Sequence, residues 1–384
     1  MGAAYAFAAT MVGTTLPTPL YALYKDKFGL SELIITVIFA TYAVGVIAAL
    51  LAFGSLSDQI GRRPVLLMGL GFSALSAVAF LLAESLGFLL VGRLLSGFSA
   101  GIFTGTATAT LVDLAPEGKQ GRATLVATMV NMVGLGCGPL FAGIASQWGP
   151  LPLRLTFWID LGLLVPAFAA ILLMPEPVEH RSAAKLRIQA LRVPAEIRPI
   201  FISGALAAFA GFAVLGLCTA VVPAFLGLLG VTNHALVGLV VFAVFAASAA
   251  GQLLLEVVPS EAALPAGCGG LIAGMAVLAV GLAASSLGLF IAGALIAGVG
   301  QGLSFRSGLA GVNQASPPDL RGEVASSFFV VAYVAISIPV IGEGVLAQVS
   351  SLKPAGLVFA GAVAALAAVV LVLLARRRAV ESQA

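Results

Sequence analysis

Charge is scarce in this chain: Asp, Glu, Lys and Arg together make up 9% of its 384 residues. A soluble domain carries about 25%. With 60% of residues hydrophobic and a mean hydropathy of +1.12, too little polar surface remains to cover a globule in water. Lipid must be the solvent. Histidine is nearly absent: His180 and His234 stand alone in predicted loops, so no metal cluster and no cofactor is expected. The three cysteines, Cys137, Cys218 and Cys268, are odd in number and lack metal-ligand spacing; they read as small buried hydrophobes. The sequence has no GxxxxGK[ST] loop, which argues against an ATP-driven pump. Met1 to Ala9 carry no basic n-region, so no signal peptide is expected. The first apolar run starts almost at Met1, and the native chain is therefore expected to begin earlier. A net charge of +3 gives no reason to expect nucleic acid.

What is present is apolar, glycine-rich and periodic. Forty-five glycines and nineteen prolines suit membrane helices, which carry more of both than soluble ones. A span needs about 20 apolar residues. Twelve runs qualify: 3–24, 33–53, 64–83, 87–112, 123–147, 153–174, 199–224, 234–257, 263–284, 287–311, 324–348 and 355–375. Barrel strands would be about 10 residues long and strictly alternating. The fold class is therefore an all-α integral membrane protein with twelve transmembrane helices in two six-helix bundles. Residues 1–174 form the first bundle, 175–198 a cytoplasmic linker, and 199–384 the second bundle with a short tail.

The basic residues set the orientation. Arg62, Arg63, Lys119, Arg122, Arg181, Lys185, Arg187, Arg192, Arg198, Arg321, Arg376, Arg377 and Arg378 fall on one side. Only Lys25, Lys27, Arg154 and Lys353 fall on the other, and Arg93 and Arg306 lie inside spans. Both termini and the linker are expected in the cytoplasm, with the chain in the inner (plasma) membrane. The halves also repeat. A single ungapped shift places Gly92, Leu94, Gly97 and Gly101 on Gly293, Leu295, Gly298 and Gly302, and also Pro116 on Pro317, Gly121 on Gly322 and Gly143 on Gly344. Two parallel six-helix halves are a transporter design with its site near the bilayer midplane.

The early charge is concentrated in "GSLSDQIGRRPVLLMG", residues 54–69. Gly54 and Gly61 let the backbone turn tightly. Asp58 can face a positive helix N-terminus, and Arg62 and Arg63 can hold anionic headgroups or nearby acids. The pattern Gly54-x-Leu56-Ser57-Asp58-x-x-Gly61-Arg62-Arg63-x-x-Leu66 resembles the signature between helices 2 and 3 of the major facilitator superfamily. The resemblance extends to the span count, the basic middle loop and the cytoplasmic ends. It implies a cytoplasmic latch in which Asp58 faces the start of helix 11, near Arg321 and Glu323. One departure weakens the match: the family often has a basic residue at Gln59 to pair with the acid after helix 4, here Asp113. Arg62 or Arg122 is the candidate substitute. The equivalent stretch of the second half, 251–265, keeps Gly251 but lacks the aspartate and both arginines.

Arg93 begins "RLLSGFSAG", similar to the family's helix-4 pattern. Recurrence every four residues places it on one stripe with Gly97, Gly101 and Gly105, facing neighbouring helices rather than lipid. A charge within a span costs at least about 2.5–3.5 kcal/mol and usually has a function, so Arg93 is a candidate for proton linkage or substrate binding. "VNMVGLGCGPLFAG", 130–143, resembles the antiporter signature of the superfamily's exporters through Gly134, Gly138, Pro139 and Gly143, while Val130 and Ala142 replace glycines. Pro139 invites a kink. Asp160, in the outer part of span 6, and Glu343 and Arg306, near span ends where water is in reach, are further proton-coupling or cavity candidates. Span 1 carries no acid of the kind exporters often have. Asn131 and Gln301 are the amide candidates for the cavity, and Glu256 reads as interfacial.

The expected function is a proton-coupled exporter of a small, drug-like organic compound, working as a monomer by alternating access. Uptake of a sugar or organic acid with protons is the alternative, and it would need more polar cavity groups than the sequence supplies. A polytopic enzyme would need a catalytic constellation at one depth, which two loop histidines do not provide. A transport-dead sensor is the remaining rival.

Overall fold

An apolar run in lipid must satisfy its own backbone hydrogen bonds, and a helix does so within one segment. The computed structural model describes residues 1–54, 56–178, 189–318 and 320–381, and among these there is no strand. The helices in order are α1 (Gly2–Thr15), α2 (Tyr21–Phe28), α3 (Glu32–Phe53), α4 (Leu56–Ile60), α5 (Arg62–Leu81), α6 (Leu86–Ile102), α7 (Thr108–Asp113), α8 (Gln120–Trp148) and α9 (Leu155–Leu173). They continue as α10 (Arg198–Ala220), α11 (Val222–Leu228), α12 (His234–Leu253), α13 (Ser260–Ala283), α14 (Leu287–Ala315), α15 (Arg321–Val349) and α16 (Leu352–Glu381). Among the described residues, eleven helices are long and apolar enough to cross a membrane.

The first expected span, 3–24, is not one helix. α1 stops at Thr15, a 3-10 turn covers Thr18–Leu20, and α2 follows. Pro17 and Pro19 cannot donate backbone hydrogen bonds, so an α-helix cannot pass through them intact. Span 4 is also modified, because a π turn over Phe103–Ala107 separates α6 from α7. Most of the expected linker, including His180, Arg181, Lys185 and Arg187, lies outside the described residues. His234, expected in a loop, is the first residue of α12.

The chain divides into two units. One comprises residues 1–31, 37–190 and 232–242; its centre is α1, which packs on α8, α9 and α6. Phe80 and Phe157 stack at 4.8 Å between α5 and α9. The other comprises residues 32–36, 191–231 and 243–384. There α13 lies along α14, and α10 packs against α14 and α15. Phe212, Phe305, Phe328, Phe329 and Tyr333 form an aromatic cluster in that unit, with Phe212 and Phe305 5.0 Å apart. Cys218 and Cys268 are buried and Cys137 partly so.

Four long helices contain internal prolines, and in two of them a side chain from another helix supplies the missing donor. Pro139 lies inside α8 and leaves the carbonyl four residues before it, that of Leu135, without its amide partner. The Thr15 hydroxyl of α1 donates to that carbonyl at 2.7 Å. Pro265 lies inside α13, and Arg378 donates to the corresponding carbonyl of Glu261.

Candidate functional site

The charged hairpin is built on the start of α5. Gly61 has φ +106°, a conformation that glycine adopts without a side-chain clash, and this bend exposes the first amides of α5. Both oxygens of Glu176 take them: Arg62 N–H donates to Oε1 at 2.8 Å and Arg63 N–H to Oε2 at 3.0 Å. A carboxylate is favoured at a helix N-terminus. Asp58 pairs with Arg62 at 2.6 Å, and the Arg62 Nε reaches Asp113 Oδ2 at 2.9 Å. Arg62 also donates to the Ser57 hydroxyl at 2.7 Å. One arginine therefore joins α4, α5 and the end of α7, while Leu56 packs into the apolar cluster with Ala49, Val65 and Ile102 beneath. Gly54 ends α3, its amide donating to the Leu50 carbonyl.

Arg93 is 2% exposed, so it does not reach out to water. Its Nη1 donates to the Thr14 carbonyl at 2.5 Å, and its guanidinium lies 4.6 Å from the Tyr42 ring centroid and 5.5 Å from that of Phe39. Desolvated cation–π contacts are worth about 2 kcal/mol or more, enough to offset much of the cost of burial. The glycine stripe brings α6 onto α3: a Cβ at Gly97 would run into the Tyr42 carbonyl, and one at Gly101 would lie 2.6 Å from the Ala49 Cβ. Gly105 is not part of that contact. It falls in the π turn, whose extra residue moves it off the stripe, and a Cβ there would meet nothing.

Asp160 is 2% exposed and its carboxylate lies against Gly13 of α1, where a Cβ would sit 2.9 Å from either oxygen. Asp160 Oδ1 has no hydrogen-bond partner among the described residues. Gly13 and Thr14 are successive residues, so Asp160 and Arg93 both contact the same turn of α1.

In the second unit, the structure gives three sequence candidates defined surroundings, and for Glu343 it differs from the expectation of water within reach. Glu343 is 1% exposed, and neither of its oxygens has a partner among the described residues; α15 carries it inside rather than to water. Arg306 is ion-paired, its Nη2 2.5 Å from Glu256 Oε1, and its Nη1 donates to the Gln252 carbonyl at 2.6 Å. Glu256, 58% exposed, thus also serves as the partner of Arg306. Gln301 is fully buried, accepts from the Ser248 hydroxyl at 2.5 Å, and fills the space left by Gly211.

The motif resembling an antiporter signature is a packing face. A Cβ at Gly134 would lie 2.7 Å from that of Met11, and one at Gly138 2.5 Å from the Val12 carbonyl. Both glycines thereby bring α8 onto α1. Gly143 lies against His234 and Ala235 in the same unit, where His234 N–H donates to Gln147 Oε1 at 2.8 Å. The Asn131 Oδ1 on α8 is buried without a partner among the described residues. No local spacing points to Glu176, because the carboxylate that caps α5 lies 114 residues away. Ser248 and Gln252, buried beside Gln301, were hidden for the same reason.

A family model described as Major Facilitator Superfamily matches residues 2–339. The chain belongs to this superfamily. Among curated relatives, an uncharacterized transporter of Schizosaccharomyces pombe is 30% identical over 173 residues, 44% of this chain and 36% of that protein. The inner membrane transport protein YajR of Escherichia coli is 30% identical over 159 residues, 40% and 33% of the two. The match thus spans about a third of each relative. The human organic anion transporter MFSD10 has a similar fold, with TM-score 0.69 at 17% identity over 97% of this chain and 98% of that one. A bacterial homolog of the human lysosomal transporter Spinster gives 0.75 at 15% identity over 98% and 96%. This Major Facilitator chain is a multi-pass integral membrane protein, and family and relatives point to a transporter rather than an enzyme.

Proposed function

We propose that the chain is a secondary active transporter that exports a small, drug-like organic compound in exchange for protons by alternating access. The observation that carries the proton step is the two buried acids, Asp160 and Glu343, each with an oxygen that has no donor among the described residues. A buried carboxylate that must lose and regain a proton suits such a cycle, whereas one locked in an ion pair does not. Arg93 contacts the same turn of α1 as Asp160, and Arg306 pairs with Glu256. The aromatic cluster around Phe305 favours an apolar substrate.

The remaining assignments belong to the same reading. The hairpin of Gly54, Leu56, Asp58, Gly61, Arg62, Arg63 and Asp113 acts as a latch that responds to transport state. The face of Gly134, Gly138, Pro139 and Gly143 favours exchange over uptake. Counting α1 and α2 as one broken span gives twelve, in bundles at 1–174 and 199–384, with termini and linker in the cytoplasm of a cell whose inner membrane holds the monomer. The deciding experiment expresses the chain in an efflux-deficient bacterium and screens toxic compounds for resistance. Resistance to at least one apolar compound, lost in Arg93→Ala, is expected. Inward accumulation of a nutrient with protons, and no resistance, would overturn export.

A further inference from the structure

α8 and α9 both pack on α1 but touch each other little, which leaves a cleft between them with α1 as its floor. At one end it widens to a cavity of about 610 Å³ lined by Leu111, Leu114, Val126 and Leu173, with Lys119 and Arg122 at its edge. Further along α8 a second cavity of about 390 Å³ is lined by apolar surface that includes Val130 and Val133. The side chains along this course are open to the surroundings: Leu114 is 40% exposed, Val126 and Val133 44%, and Leu173 85%. The Tyr5 hydroxyl, donating to the Leu163 carbonyl at 3.0 Å, ties floor to wall.

The charges at the mouth are unbalanced. Neither Lys119 nor Arg122 makes an ion pair among the described residues. Asp113 is committed to Arg62 and Glu176 to the first amides of α5; Glu117 shares the loop and, like Lys119 and Arg122, is exposed. Two cations thus stand at the head of an apolar channel. From Arg122 to Val133 the helix rises about 16 Å at 1.5 Å per residue, close to one leaflet of a hydrocarbon core about 30 Å thick. Such a site fits a molecule with an anionic head and a chain one leaflet long.

We propose that this cleft holds one anionic phospholipid, its phosphate on Lys119 and Arg122 and an acyl chain along α8 past Val126 toward Val133. A zwitterionic lipid would place its own cation beside the two arginine and lysine charges. A soluble anion would leave the apolar channel unfilled.

The test uses the full chain purified in mild detergent, with bound lipid counted by native mass spectrometry after exchange into phosphatidylglycerol or phosphatidylcholine. One phosphatidylglycerol per chain is expected to be retained, with about a tenfold preference over phosphatidylcholine given two basic contacts at the headgroup. The double substitution Lys119→Gln/Arg122→Gln removes that preference. Val133→Trp, at a lipid-facing position, lowers retention of either lipid by blocking the channel. Millimolar glycerol phosphate leaves the lipid in place. Equal retention of the two lipids by the unsubstituted protein overturns the proposal, and that measurement stands even if the double variant does not fold. Displacement by glycerol phosphate would show a free-anion site instead, and unchanged retention in Val133→Trp would show that the chain does not lie in the cleft.

Discussion

Arg93 exchanges one carbonyl hydrogen bond and two ring faces for its hydration. Lysine could keep the charge but neither the planar stacking nor the directed Nη1 contact. Arg93→Lys is therefore expected to behave like Arg93→Ala, with export at least about tenfold below wild type, measured as resistance in the efflux-deficient strain. The buried acids give a second residue-scale test. Proteoliposomes carrying Asp160→Asn or Glu343→Gln should lose the dependence of transport on an imposed pH gradient, because an amide cannot release a proton. If both variants respond to the gradient as wild type does, neither acid carries the proton. At this scale the sequence was a partial guide: it marked Arg93, Asp160 and Glu343 as costly charges in apolar surroundings, but the partners of Arg306 and Gln301 arise from helices some fifty residues away.

At the scale of elements, the repeated glycines divide into two kinds that sequence alone does not separate. Gly97→Ala should lower the melting temperature sharply, since the new Cβ meets the backbone of α3, while Gly105→Ala should leave it unchanged because nothing lies within reach. The π turn between α6 and α7 is the reason, and no residue pattern announces an inserted residue. The helices themselves were legible because length and hydropathy decide them in lipid. The break at 16–20 required knowing which side of each proline would lose its helix. The start of α5 depends on Glu176. Glu176→Gln should destabilise the hairpin by about 1–2 kcal/mol through loss of the charged cap, seen in detergent as a lower unfolding temperature. Because the capping carboxylate arrives from beyond α9, its loss also frees that segment, which a proteolysis assay after Met174 would detect.

Across the whole molecule, the separation of roles follows from where charge is neutralised. Asp58, Arg62 and Asp113 lie partly exposed, where a single pair is worth about 1 kcal/mol or less; such a network can open and close during a cycle without unfolding its unit. Arg93 is held far more firmly. Asp58→Asn should therefore alter transport rate with little change in unfolding temperature, a pattern opposite to that of Gly97→Ala. Transport equal to wild type in Asp58→Asn would exclude the latch role.

The Thr15–Leu135 hydrogen bond has a consequence for biogenesis. α1 ends at Thr15, and a proline-containing 3-10 turn follows it. Beyond it the backbone turns through prolines at a depth where bare carbonyls and amides are tolerated only under protein cover. That cover includes α8, which emerges from the ribosome 120 residues after Thr15. Part of this cover is therefore absent until α8 is made. Thr15→Val should leave the Leu135 carbonyl bare and slow stable insertion, and adding Pro139→Ala should restore it by returning that carbonyl's own amide partner, as followed by protease protection of truncated nascent chains.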